Sequence, residues 1–139
     1  MNIAYWLHSS ALLRPQEPAL FFGESLIANY KQFADRSYVL GKFLESQLGI
    51  KEGDRVAIYM PNCVEYLVIL YACWWIGAVV VPVNYMLHPK EASWIIQNSE
   101  SRLVFTDIGD VFINFEFQVP LHEIGINSGL ASLLDNATV

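Results

Sequence analysis

At 139 residues, 54% apolar and only 16% charged, the chain is long enough for one compact domain or for one lobe of a larger one. The charged share falls below the roughly 25% usual for soluble domains, so part of the apolar surface is expected to be covered by something outside these residues. The formal net charge is −6, all eight Lys and Arg lie at or before Arg102, and Asp107, Asp110, Glu116, Glu123 and Asp135 follow it. Nucleic-acid binding requires clustered cations, so no nucleic-acid partner is expected.

Ile3 to Leu13 is apolar enough for a short helix ending before Arg14-Pro15. Ala19–Phe22 and Leu26–Tyr30 read as two short strands around Gly23-Glu24, a β-hairpin. From Lys31 to Leu48, the residues Phe33, Leu40, Leu44 and Leu48 recur near helical spacing, and Gly49 closes that helix. Lys51-Glu52-Gly53-Asp54 is a polar turn, Arg55–Tyr59 a strand, and Met60-Pro61-Asn62 turns into a helix over Val64–Ile76. Asn62 with Glu65 has the spacing of a capping box, and Gly77 stands where that helix stops. Ala78–Val83 is the next strand, and its consecutive valines, Val79–Val81, predict coverage on both faces. Pro89 opens a helix running to about Asn98, and Leu103–Thr106 is a further strand.

Strand, helix, strand, helix, strand with connections this short predicts parallel pairing through right-handed crossovers. The expected fold is therefore α/β: a parallel β-sheet flanked by helices, with a short N-terminal β-hairpin. Past Asp107, Val111–Val119 alternates in part and reads as a strand, and Leu130–Leu134 as a helical turn. No repeat or linker interrupts residues 1–139, so no internal domain boundary is expected.

Tyr66 to Val83 carries no charge over a length that could span a bilayer. Gly77 and Pro82 interrupt it and no cation flanks it closely, so a buried helix followed by a buried strand is expected instead of a membrane span. The N-terminal MNIAYWLHSS lacks the basic start of a secretory signal. Cys63 and Cys73, ten positions apart on one predicted helix, lie roughly 15 Å apart, beyond disulfide reach. Two reduced thiols fit a cytoplasmic location, and no CxxC or neighbouring His supports zinc.

A nucleotide site on a βα unit brings backbone N–H groups to phosphate through a glycine-rich turn. Met60-Pro61-Asn62-Cys63 has no glycine, and Pro61 has no N–H. Gly125-Ile126-Asn127-Ser128-Gly129 comes nearest to a phosphate loop, yet no Lys follows it, and a plain turn is the simpler reading. His8, His88 and His122 are dispersed without a nucleophile elbow, and His88 before Pro89 reads as a helix-entry residue. Asp54 and Glu65 read as turn and helix-cap residues rather than as paired carboxylates. Trp74 and Trp75 read as core or interface packing rather than as a ligand pocket. The residues themselves assemble no catalytic constellation.

The order of motifs nevertheless resembles a known family. Ser25–Phe33 (SLIANYKQF) precedes an amphipathic helix, followed by Gly49-Ile50-Lys51-Glu52-Gly53-Asp54-Arg55-Val56-Ala57 and by Met60-Pro61-Asn62 with Glu65. Next come Gly77-Ala78-Val79-Val80-Val81-Pro82-Val83-Asn84, then Lys90-Glu91 and Leu103-Val104-Phe105. This run is similar to the N-terminal portion of the AMP-forming acyl-CoA synthetases, the AMP-binding or adenylate-forming enzymes, over roughly Ile3 to Asp107. Ile27-Ala28-Asn29 lengthens the step from strand to helix relative to that pattern, and the tail after Asp107 drifts from it.

The resemblance implies full-length relatives that join a carboxylic acid to ATP and pass the acyl-adenylate to coenzyme A, as ligases do in fatty acid metabolism. It also implies that the family's Ser/Thr/Gly-rich phosphate loop, its adenine, ribose and Mg²⁺ motifs and its late Lys lie downstream of the matched stretch. No residue here is thus assigned a catalytic, cofactor-binding or metal role. ATP, Mg²⁺ and CoA are implied for the full-length relatives and not for this chain. The expectation is a fragment inactive alone, partnered by the remainder of the synthetase or by a homologous subunit. The alternative is a stand-alone binding or regulatory module on the same scaffold. Asn84 to His88 is the stretch implied to approach an acyl or pantetheine tunnel.

Overall fold

The computed structural model describes residues 2–112, 117 and 119–123. Helix α1 (Ala4–Leu13) opens the chain. Asn2 fastens it at both ends of one side chain: Oδ1 accepts the Ala4 N–H at 2.8 Å, and Nδ2 donates to the Trp74 carbonyl at 2.6 Å. Strands β1 (Pro18–Phe22) and β2 (Ser25–Asn29) form the expected antiparallel hairpin around Gly23-Glu24. Its register slips twice: Leu20 faces Ala28 while Phe21 faces Leu26, so Ile27 is an extra residue on β2 and Ala19 one on β1. Two opposed bulges of this kind absorb the long Ile27-Ala28-Asn29 step and leave Leu20 and Ala28, the buried residues of the two strands, opposite each other.

Helix α2 (Tyr30–Ser46) starts on a complete capping box. Asn29 Oδ1 accepts the Gln32 N–H at 2.8 Å, and the Asn29 N–H donates to Gln32 Oε1 at 2.9 Å. Phe33, Ala34, Ser37, Leu40, Gly41 and Leu44 form its buried face. Leu48 does not belong to that face as predicted: the helix ends at Ser46, Leu48 is 37% exposed, and Ile50 turns in to take the buried place. Gly41 lets α2 approach the backbone of the following helix, since a Cβ there would meet the Ala72 carbonyl oxygen at 3.0 Å and Ile76 Cγ2 at 3.3 Å.

The main sheet comprises β3 (Arg55–Tyr59), β4 (Val79–Pro82), β5 (Leu103–Thr106) and β6 (Leu121–Glu123), in the order β4-β3-β5-β6 with every pair parallel. Helices α3 (Val64–Trp75) and α4 (Pro89–Asn98) make the crossovers. Alternate residues of β3 feed two cores. Val56 and Ile58 join α2 and α3 on one side, while Ala57 and Tyr59 join Ala92 and Ile96 of α4 on the other. A fully buried aliphatic such as Ile58 or Leu44 contributes about 2 kcal/mol by leaving water.

The long apolar run from Tyr66 to Val83 divides at Gly77 into a helix and a strand, the helix well buried and the strand only in part. Gly77, at φ 79°, ends the helix in a conformation that side chains resist, and its missing Cβ leaves room for Glu52 Cγ, which would stand 2.9 Å from it. Among the described residues no helix is long and apolar enough to cross a membrane.

Three expectations need correction. The N-cap of α3 is Cys63, with no side-chain cap bond, and not Asn62, so the Asn62–Glu65 spacing is not a capping box. Val79–Val81 is not covered on both faces: none of the three valines is fully buried and Val79 is 47% exposed, and among the described residues β4 is an edge strand. The strand predicted over Val111–Val119 begins instead as a 3-10 turn, Gly109–Phe112, and the Phe112 ring stacks on Phe117 at 4.4 Å. The rest of that stretch lies mostly outside the described residues, as does Leu130–Leu134. Strand β6 was not anticipated.

Candidate functional site

In a parallel sheet the loops leaving the carboxyl ends of the strands collect at one side, where α/β proteins hold their ligands. Here the segments following β3 and β4 enclose a cleft of about 320 Å³. Its described lining is Met60, Pro61 and Asn62 after β3, Tyr66 on α3, and Pro82 to Met86 at and beyond the end of β4. The polar groups are two amides and two phenols; no cation and no carboxylate lines the described cleft.

The loop after β4 is held in place from below. Tyr59, buried at the end of β3, donates its hydroxyl to the Leu87 carbonyl at 2.8 Å. Asn84 folds the loop on itself, its Oδ1 accepting the Met86 N–H at 2.9 Å. Tyr85 lies 5.8 Å from the Tyr59 ring, and its phenol acts on Asp107, the residue after β5, favouring the ionised carboxyl. Burial pushes the Asp107 carboxyl above its usual range, against the lowering effects of its own backbone N–H and of Tyr85. The Tyr59 phenol is likewise raised, first by burial and then by Tyr85 and Asp107. Sequence reading passed over this Tyr59–Tyr85–Asp107 group. The available signal was positional, since Tyr59 and Asp107 each sit at or just past the carboxyl end of a predicted parallel strand.

The residues weighed from sequence are distributed rather than gathered. Asp54 serves its turn, with Oδ2 accepting the Lys51 N–H at 2.8 Å, and lies at the opposite end of β3 from Glu65. Five strand residues separate the two by roughly 17 Å, so they are not a carboxylate pair. Glu65 is buried in the first turn of α3 beside Cys63, whose thiol is pushed up to about 11, mainly by burial. Cys73 is buried deeper and pushed up to about 12. Both cysteines are free.

His88 is the helix-entry residue expected, its Nδ1 accepting the Lys90 N–H at 3.1 Å. His8 stands edge-on to Trp75, and His122 lies between the Phe43 and Phe105 rings, where burial lowers its pKa. Trp75 also meets Tyr38 edge-on at 5.5 Å, and Trp74 meets Tyr71 at 5.1 Å, in keeping with packing roles. Among the described residues no three His, Cys, Asp or Glu side chains converge as a metal site. Gly125 to Gly129 lies outside the described residues.

A phosphate group does not fit the described cleft. Pro61 removes a donor from the β3–α3 turn, and the buried Glu65 carboxyl already occupies the positive end of α3. Two arginines that flank the sheet stand at its other end, while Lys90, in the first turn of α4, is not part of the described lining of the cleft. Arg55 begins β3 and pairs with Glu100 at 3.7 Å, and Arg102, just before β5, pairs with Asp54 at 3.4 Å.

A parallel sheet flanked by helices, with an amide- and phenol-lined cleft beyond its carboxyl ends, defines an α/β domain. The model of the AMP-binding enzyme family matches residues 7–135, and the chain belongs to that family. That match carries the family signal past Asp107, further than the sequence motifs alone had placed it. The 2-succinylbenzoate–CoA ligase of Oceanobacillus iheyensis is 32% identical over 102 residues, 73% of this chain and 21% of that relative. The crotonobetaine/carnitine–CoA ligase of Salmonella enteritidis is 43% identical over 61 residues, 44% of this chain and 12% of the relative.

Among solved structures, the N-terminal domain of FACL13 from Mycobacterium tuberculosis superposes with a TM-score of 0.83 at 30% identity, covering 99% of this chain and 37% of that one. VinN, solved with L-aspartate, superposes at 0.85 with 20% identity, a likeness of fold. The chain thus spans at most about a fifth of these curated relatives and under two fifths of these solved structures.

Proposed function

We propose that these 139 residues are the scaffold-bearing N-terminal part of an acid–CoA ligase that works through an acyl-adenylate, and that they are catalytically silent alone. The observation that carries this reading is the charge arrangement around the sheet: the carboxyl-end cleft has amides and phenols where a triphosphate needs backbone donors and a cation. The relatives' names support a carboxylic acid and CoA as co-substrates of the whole enzyme. They differ in the acid, so a fatty acid is one member of a wider substrate class.

In this reading the chain's own residues shape a wall of the acid or pantetheine passage. Tyr59 and Asn84 fix the loop between β4 and α4, and Tyr66 and Met86 face the cleft. ATP and Mg²⁺ are handled by polypeptide beyond this segment, and its partner is that remainder or a homologous subunit. Two free, high-pKa thiols support a reducing compartment such as the cytoplasm.

ATP–pyrophosphate exchange with a panel of carboxylic acids tests the reading. No exchange above background is expected from the 139-residue chain; robust exchange would overturn it. A non-catalytic interaction module on the same scaffold is the second reading, favoured by the bare apolar face of α1.

A further inference from the structure

Helix α1 is apolar on the wrong side as well as the right one. Ala4 and Leu7 are buried against α2 and α3, as a surface helix requires. On the opposite side Tyr5, Trp6, Leu12 and Leu13 are 60%, 62%, 70% and 80% exposed. At 3.6 residues per turn these four and Ser9 fall within an arc of about 120°, so they form one stripe. No charged residue occurs anywhere in Ala4–Leu13. An apolar stripe on a surface helix normally faces a partner rather than water.

We propose that this stripe is the contact surface of a homodimer in which α1 packs antiparallel against α1 of a second copy, with Ser9 near the two-fold axis. The stripe is self-complementary: Tyr5 and Trp6 at one end meet Leu12 and Leu13 at the other, and small Ser9 lets the backbones approach at the centre. Antiparallel pairing also sets the two helix dipoles against each other favourably. A net charge of −6 opposes self-association through most surfaces, but this one carries none of that charge.

The four side chains expose on the order of 500 Å² of largely apolar surface, well over half of the roughly 800 Å² each partner contributes to a standard interface. The neighbouring groove, lined by Leu12, Pro15, Tyr38 and Trp75 among others, offers the polar and aromatic rim that completes it. A bilayer is a poorer occupant, because α1 has no Lys or Arg to meet anionic lipid. The proposal stands whether or not the ligase reading does.

Sedimentation velocity of the 139-residue chain over a micromolar range should give twice the monomer mass. The double substitution Trp6→Glu, Leu13→Glu should give a monomer with unchanged circular dichroism, since both side chains are mostly exposed. Should that variant fail to fold, Ser9→Cys carries the test: mild oxidation should link it into a covalent dimer under conditions that leave the wild-type chain unlinked. Cys63 and Cys73, with thiols pushed to about 11 and about 12, make the wild type a quiet control. A wild-type monomer would assign the stripe to another partner, including further polypeptide of the same protein, and would overturn the proposal. So would a dimer that survives the folded double variant, or one in which the Ser9→Cys chain does not link.

Discussion

The two ends of the parallel sheet are built from different chemistry. At the amino end, Lys51 to Asp54, Arg55, Glu100 and Arg102 make a ring of charge stitched by a turn bond at 2.8 Å and two loose ion pairs. At the carboxyl end, Tyr59, Tyr66, Asn84 and Tyr85 surround a cleft with neutral polar groups and aromatic walls. The contrast shows where this domain spends its polar groups: ion pairs face water at one end, and uncharged groups line the cleft at the other, with Glu65, Asp107 and Lys90 outside that lining. Under the proposed function, this arrangement shapes an organic substrate's surroundings and leaves phosphate chemistry to other polypeptide.

The comparison breaks most visibly at Tyr59. Replacing it with Ala removes a fully buried aromatic and the anchor of the β4–α4 loop, and should cost about 4 kcal/mol in urea unfolding. Tyr59→Phe keeps the ring and removes the bond to Leu87, with an expected loss of about 1 kcal/mol. Equal losses for the two variants would mean that the hydroxyl, not the ring, holds this end together. At the charged end, Asp54→Ala should cost about 1 kcal/mol because the Lys51 N–H loses its acceptor. Arg102→Ala should cost less than about 0.5 kcal/mol, since its side chain is half exposed. A larger effect from Arg102 than from Tyr59→Phe would reverse the ranking of the two ends.

A smaller effect should appear with pH. His122 is held neutral between Phe43 and Phe105, with its folded pKa lowered by burial. The unfolded chain therefore takes up the proton first, and stability present above the ordinary histidine value near 6.5 is lost as pH falls through that value towards the folded one. His122→Phe should flatten the dependence of the melting temperature between pH 7 and 5; an unchanged slope would assign it to other groups.

The βαβαβ order was legible because Gly77, Pro89 and the apolar strands punctuate the chain wherever the backbone changes direction. Less legible was anything set by neighbours across the sheet. Val79–Val81 reads as an interior strand, yet its place at the edge depends on which strands are present beside it. Asn62 and Glu65 have capping-box spacing, but the chain enters α3 one residue later, at Cys63, and Glu65 goes into the core. Strand β6 is three residues long and is recruited by β5, so no periodicity announces it. The Tyr59–Tyr85–Asp107 group joins three segments that only the parallel register brings to one end.

Calorimetric titration of Mg–ATP into the 139-residue chain reaches the central claim directly. With amides and phenols in the cleft and the sheet's arginines at its far end, no saturable heat is expected. A one-site isotherm with a dissociation constant in the micromolar range, abolished by substitutions at Asn62 or Asn84, would contradict it.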